Sequence, residues 1–281
     1  MLEVIGLIPA AGQSKRLAPL PFSKELYPIG YWQPRDAESS PPKVVSHYLI
    51  EKMQSAGIYR IFISIREGKW DIPGYLKDGS AFGVHIAYLM LGLPYGVPFT
   101  IDQAYPFVRD NLVAFGFPDI MFEPMNAFTH LLKHQKDGQA DVTLGLFPNN
   151  APHKVDMVDV DDHGRVKRLI LRPERSTLRL TWGIAAWGPS FTDFLHKHLV
   201  NVKQSAATGR ELSMGDVFNS AISSGLRVES TLVSDDPYLD IGTPGDLVKA
   251  VKYFTNPPNA NGSSSGLSLT KRQRTHSRRK A

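Results

Sequence analysis

Leu7-Ile8-Pro9-Ala10-Ala11-Gly12-Gln13-Ser14-Lys15-Arg16-Leu17, followed by Pro21-Phe22-Ser23-Lys24-Glu25-Leu26, is the stretch on which the fold turns. Val4 to Ile8 is a short run of β-branched and aliphatic residues, the pattern of a strand buried in a parallel sheet. Ala10, Ala11 and Gly12 let the backbone pass close to a ligand, so that successive main-chain N–H groups can point at phosphate oxygens. Lys15, Arg16 and Lys24 supply positive charge where a bound triphosphate needs it, the arginine as a planar fork and the lysines as mobile point charges. The plainer alternative is a strand, a tight turn and three solvated cations.

On either side of this stretch the chain reads as an α/β protein. Strand patterns run from Val4 to Ile8, Ile58 to Ser64, Val84 to Met90, Asn111 to Phe115 and Val142 to Phe147, with helix patterns at Val44 to Ala56, Phe99 to Phe107 and Pro124 to Gln135. Gly57 is placed to stop the first of these helices. Such alternation, without an internal repeat, predicts βαβ units around a mostly parallel sheet. Val155 to Val160 and Val166 to Leu171 look like strands flanking the turn Asp161-Asp162-His163-Gly164. Tyr31 to Pro42, rich in proline, serine and charge, reads as a loop, either idle on the surface or lying over a pocket.

The 281 residues suffice for one large domain or two small ones, and a hydrophobic content of 42% is ample for a core. No apolar run is long enough to span a bilayer, and the start of the chain lacks the layout of a signal peptide. The chain has no cysteine, which excludes disulfides and thiolate metal sites and makes the cytoplasm the default location. The net charge of +5 is a property of the end of the chain. Lys271, Arg272, Arg274, Arg278, Arg279 and Lys280 follow the last acid, Asp246, and without them 26 basic residues face 27 acidic ones. A nearly neutral body argues against a nucleic-acid interface. The sequence therefore divides into a body, residues 1–255, and a basic tail, residues 256–281, whose Asn, Pro, Gly and Ser content predicts disorder.

Two further segments bring carboxylates to strand ends. Leu112-Val113-Ala114-Phe115-Gly116-Phe117-Pro118-Asp119 is an apolar strand that runs out into an acid, at the sheet edge where open α/β proteins bind ligands. A cap on the following turn is the alternative role for Asp119. Tyr238-Leu239-Asp240-Ile241-Gly242-Thr243-Pro244 repeats the arrangement ahead of a helix from Thr243 to Phe254, while Asp235 and Asp236 read as surface acids.

Together, Ile8-Pro9-Ala10-Ala11-Gly12 through Arg16-Leu17, Lys24-Glu25-Leu26 with Pro28, and the Asp240 segment resemble the signature of sugar-1-phosphate nucleotidylyltransferases, the NDP-sugar pyrophosphorylases. The Pro-Ala-Ala-Gly form and the Lys-Glu pair are most similar to the uridylyltransferase branch, and the resemblance runs from Val4 to about Phe254. It implies a three-layer, Rossmann-like α/β fold with a mostly parallel sheet of the nucleotide-diphospho-sugar transferase type. The implied reaction joins a nucleoside triphosphate and a sugar 1-phosphate into an NDP-sugar and pyrophosphate. The resemblance makes Asp119 and Asp240 the ligands of Mg²⁺, and Arg16, Lys24, Asp119 and Asp240 the catalytic set. Ala10, Ala11, Gly12, Ser14, Lys15, Arg16, Lys24 and Gly96 would bind the nucleotide, and Arg172, Gly183 and Arg210 the sugar phosphate. No membrane partner is implied, and self-association into a homo-oligomer stays open.

The sequence departs from the family's pattern at five places. Ser14 stands in the turn where the family has glycine, and a side chain adopts positive φ less readily. Pro118 replaces the glycine before the metal-binding aspartate. Leu171-Arg172-Pro173 stands for Glu-Lys-Pro, keeping the charge but losing the carboxylate that would bind sugar hydroxyls. Leu91 stands where the family has the glutamine that reads the base, and leucine neither donates nor accepts a hydrogen bond. In Thr208-Gly209-Arg210-Glu211-Leu212 the usual order of arginine and glycine is exchanged. These losses give the rival reading, a non-catalytic sensor of nucleotides or sugar phosphates on the same fold.

Overall fold

The computed structural model describes residues 2–14, 16–31, 41–92, 96–204 and 211–255. Lys15, Arg210 and the tail 256–281 lie outside the described residues, as does 32–40, most of the Tyr31 to Pro42 segment. In chain order the elements are β1 (Val4–Pro9), β2 (Pro28–Tyr31), β3 (Pro42–Val44), α1 (Val45–Ser55), β4 (Arg60–Arg66), α2 (Asp71–Leu76) and β5 (His85–Leu91). They continue with α3 (Val97–Asp102), α4 (Tyr105–Val108), β6 (Leu112–Gly116), β7 (Ile120–Met121), α5 (Ala127–Asp137), β8 (Val142–Pro148), β9 (Met157–Val160) and β10 (Val166–Ile170). The last are β11 (Leu180–Trp187), α6 (Pro189–Gln204), α7 (Met214–Ser223), β12 (Val228–Leu232), β13 (Leu239–Asp240) and α8 (Pro244–Thr255).

A nine-stranded sheet runs in the order β10-β9-β11-β6-β1-β4-β5, with β8 paired to β11 and β12 paired to β8. β6, β1, β4 and β5 are mutually parallel, as are β8 and β12, and β11 joins β6 and β8 antiparallel. Period-two alternation sends the side chains of β6 to opposite faces: Val113 and Phe115 enter one core, Ala114 the other. Helices α3, α4, α6 and α7 cover the first face and α1, α2 and α5 the second, which gives the three layers that the family resemblance implies. Among the described residues no helix is long and apolar enough to cross a membrane.

The strand assignments hold to within one or two residues, and α1 ends as expected, with Gly57 at φ +79° and Ile58 N–H donating to the Met53 carbonyl at 3.0 Å. Two helices differ. The expected helix from Phe99 to Phe107 is two short ones, α3 and α4, because Pro106 has no N–H to continue the ladder and its ring would strike the Asp102 carbonyl. The helix expected from Pro124 starts at Ala127, after a turn closed by Ala127 N–H on the Pro124 carbonyl.

His47 on α1 is 1% exposed and packs against Phe82, ring centroids 4.5 Å apart. Burial, helped by the charge of Lys43, pushes its pKa from 6.5 down to about 4. The unfolded chain therefore binds this proton more tightly than the folded one. Stability is complete above about pH 6.5 and falls as pH drops towards 4, by about 3 kcal/mol for this group. Urea midpoints from pH 7 to 4 check this: His47→Phe should flatten that part of the acid limb, and parallel profiles for the two proteins would refute it.

Candidate active site

β1 delivers the opening loop to the carboxyl edge of the sheet, where Ala10 N–H donates to the Ser64 carbonyl of β4 at 2.8 Å. Ala10 and Ala11 are buried, and Gly12 is exposed with open space where a Cβ would stand. The loop then turns at Ser14, whose φ is +52°, and whose carbonyl accepts from Leu17 N–H at 2.9 Å and Ala18 N–H at 3.1 Å. The turn thus needs positive φ at the position where serine has replaced glycine. Holding a β-carbon there costs of the order of 1 kcal/mol.

The two acids meet through a small ladder of their own. β7 and β13 pair antiparallel with Ile120 opposite Asp240, and Ile241 N–H donates to the Asp119 carbonyl at 3.1 Å. The ladder stands on a third cluster, Ile29, Tyr48, Met121, Ile241 and Ala250, which packs α8 and α1 beneath it. Lys24 forms an ion pair and hydrogen bond with Asp119, both side chains largely buried. Arg16 faces Asp240: a Cβ placed on Gly242 would lie 3.0 Å from Arg16 Nη2 and 2.9 Å from Asp240 Oδ2. Gly242 thus leaves room for guanidinium and carboxylate to close over the backbone. The four residues the sequence nominates as catalytic are gathered at one point.

Electrostatics show the cost of crowding these charges together. Burial and the neighbouring negative charge of Asp119 push Asp240 up to about 6, although Lys24 and Arg16 pull the other way. The Lys24 ammonium is disfavoured by burial, but Asp119's charge and hydrogen bond outweigh this and hold its pKa above the usual lysine value. Two crowded carboxylates with unused oxygens suit a small hard cation that keeps several of its waters, as Mg²⁺ does. No group of three or more His, Cys, Asp or Glu residues suited to a metal occurs among the described residues, so remaining ligands would be water or substrate oxygens. Asp246, the other acid of this segment, is engaged in capping α8, accepting from Thr243 Oγ1 at 2.6 Å.

A second layer, invisible in the sequence, holds Lys24 in place. Lys69 Nζ donates to Glu25 Oε1 at 2.6 Å, with 5% and 3% of the two side chains exposed. The Asp71 carboxylate accepts from Ser23 N–H at 2.6 Å and Ser23 Oγ at 2.7 Å. The segment that carries Lys24 is thus clamped on both sides to the turn between β4 and α2. A cavity of about 440 Å³ lies between that turn and the opening loop.

Of the expected sugar-phosphate residues, Gly183 lies buried in β11, where a Cβ would meet Phe147 at 3.0 Å and Tyr238 at 3.1 Å. Tyr238, two residues before Asp240, is a residue the sequence did not single out, and burial raises its hydroxyl well above the usual tyrosine range. Trp182 and Trp187, whose residue type admits either a sugar-stacking or a core role, belong to the core, 6% and 1% exposed. Arg172 stands exposed after β10 with φ +42°, and no ion pair among the described residues joins it to the aspartates. Gly96, expected at the nucleotide, opens α3 at φ +109°, where a Cβ would lie 2.5 Å from the Leu212 carbonyl oxygen. Only a glycine fits that backbone, which packs against the residues following Arg210.

Comparison with known proteins identifies the family and the fold. Residues 5–256 match the family model described as nucleotidyl transferase. The low-salt glycan biosynthesis nucleotidyltransferase Agl11 of Haloferax volcanii is 26% identical over 250 residues, 87% of this chain and 64% of that protein. The UTP–glucose-1-phosphate uridylyltransferase of a Synechocystis strain is 24% identical over 266 residues, 88% of this chain and 62% of its own length. The chain thus spans a little under two thirds of these two relatives. A glucose-1-phosphate thymidylyltransferase of Neisseria meningitidis is 24% identical over 257 residues, covering 90% of this chain and 83% of that one. A solved structure from Bacillus anthracis, described as a candidate glucose-1-phosphate thymidylyltransferase in complex with sucrose, superposes at a TM-score of 0.73. The match covers 91% of this chain and 97% of that one at 17% identity, which shows a shared fold.

Proposed function

Since this chain belongs to the nucleotidyl transferase family, we propose that it transfers a nucleotidyl group from a nucleoside triphosphate to a sugar 1-phosphate, releasing pyrophosphate. The observation that carries the reading is the meeting of Arg16 and Lys24 with Asp119 and Asp240 at the carboxyl edge of the sheet. A sensor would not need this arrangement. The attacking group is already a phosphate anion, so no side chain has to remove a proton, and catalysis reduces to alignment and charge neutralisation. The backbone from Ala10 to Gly12 would hold the phosphates, with Arg16 and Lys24 set against their charge. Arg172 and Gly183 would border the sugar phosphate.

Asp119 and Asp240 would hold Mg²⁺, which supplies Lewis-acid stabilisation of charge on the transferring phosphate. Residues 1–255 form the catalytic unit in this reading, with the basic tail 256–281 separate from it. A cytoplasmic setting follows from the need for nucleoside triphosphates.

The test is a screen of the full chain with Mg²⁺ against the common nucleoside triphosphates and a panel of sugar 1-phosphates, following pyrophosphate. Release with at least one pair, abolished by chelation, is the expected result. Tight nucleotide binding with no release for any pair would instead favour the sensor.

A further inference from the structure

The cavity beside the opening loop has a wall of side chains that the proposed reaction leaves unused. One side is the backbone of Gly12 to Ser14, the other Arg66, Lys69 and Trp70. Its volume, about 440 Å³, falls in the range of small-molecule pockets. Two buried polar atoms of its lining residues, Ser14 Oγ and Arg66 Nε, have no hydrogen-bond partner among the described residues. Unpaired buried donors are costly in a folded chain, so two around one cavity mark a place built for a ligand.

Arg66 is the last residue of β4, in register with Leu91 on parallel β5. In-register neighbours share a sheet face, so the guanidinium stands on the same face as Leu91, a side chain that offers no hydrogen bond of its own. Its Nη1 donates to the Glu67 carbonyl at 2.9 Å, which steadies the group, and no carboxylate pairs with it among the described residues. On the same wall Trp70 is 60% exposed, a large apolar ring left in water. An indole face and a free guanidinium edge suit a flat heteroaromatic ring, stacked on the first and read by the second.

We propose that Arg66 reads the nucleobase in this cavity and selects one that presents paired acceptors, guanine before the others, with Trp70 as its stacking surface. The inference rests on the nucleotide-binding part of the proposed function. A guanidinium carries donors only, so it complements the O6 and N7 edge of guanine and opposes the amino group of adenine.

Equilibrium titration of the full chain with GTP, ATP, UTP and inorganic triphosphate, each with Mg²⁺, tests this without any turnover readout. The wild-type chain is expected to bind GTP about tenfold to a hundredfold more tightly than ATP. Arg66→Met should erase that ratio while leaving inorganic triphosphate within about twofold, and Arg66→Lys, which keeps the charge but loses the fork, should behave the same way. Trp70→Ala should weaken every nucleotide and spare inorganic triphosphate. An equal loss for all nucleotides and for inorganic triphosphate in Arg66→Met would make Arg66 a phosphate ligand and overturn the proposal. So would a wild-type chain that prefers ATP or does not discriminate. Because pyrophosphate release is not measured, a chain that ranks nucleotides without turning them over would sustain base reading while refuting nucleotidyl transfer.

Discussion

Asp119→Ala should lower turnover by about a hundredfold or more, a loss of about 3 kcal/mol of transition-state stabilisation. Removing this carboxylate has two effects at once: it deletes half of the oxygen pair offered to a divalent cation, and it frees the Lys24 ammonium that it holds. Lys24→Ala should cost a similar factor by the second route alone. The pair acts as a unit, so the double variant should fall well short of the product of the two losses. Asp119→Asn keeps shape and hydrogen bonding while removing charge, and separates electrostatics from folding. Initial rates of pyrophosphate release, with thermal melting as a control, provide the measurement. Unchanged rates in Asp119→Asn and Lys24→Ala would overturn the catalytic assignment.

Glu25→Ala should destabilise the fold by about 3 to 5 kcal/mol, the largest stability effect expected of a single substitution near the site. The reason is the ammonium it strands. Lys69 is 5% exposed at its side chain and bonds Glu25 Oε1 at 2.6 Å. Burial pushes the Glu25 carboxyl up and the Lys69 amine down, each against the attraction of the other, so the pair is held by its geometry rather than by a surplus of electrostatic energy. Replacing both partners, Glu25→Leu with Lys69→Met, should recover most of the loss because no charge is left without a partner. Urea unfolding of the single and double variants reads this directly. A double variant as unstable as Glu25→Ala would show that the loss does not come from a stranded charge. The stabilised double variant also tests positioning, since Lys24 follows Ser23 and precedes Glu25 on the clamped turn.

The legible parts of the site were those in which local chemistry and chain order suffice. Strand β1 followed by Ala10-Ala11-Gly12, and the acids at the ends of β6 and β13, can be read because each depends on a few adjacent residues. The split of α3 from α4 is present in the chain at Pro106, whose missing N–H interrupts a helix that apolar periodicity alone would run through. The pairing of Glu25 with Lys69, the hold of Asp71 on Ser23 and the burial of Tyr238 against Gly183 were not legible. A lysine far along the chain carries no local sign that it will be buried against a given glutamate, and the signal is a three-dimensional neighbour rather than a spacing. Trp182 and Trp187 illustrate the converse: their residue type admits a platform or a core role, and only the 6% and 1% exposures decide for the core.

By itself, the sequence determined the α/β class, the tight loop at the end of β1 and the placing of two acids at strand ends, because hydrophobic periodicity, turn chemistry and strand-end position are short-range properties. The tertiary structure alone decided that Asp119 takes Lys24, that Asp240 sits against Arg16 with its pKa raised to about 6, and that Arg66 and Ser14 face a common cavity. Those facts depend on the β7–β13 ladder and on the register of β4 with β5. Charge pairing and burial are set by distances between residues remote in the chain, and these exist only once the sheet has formed.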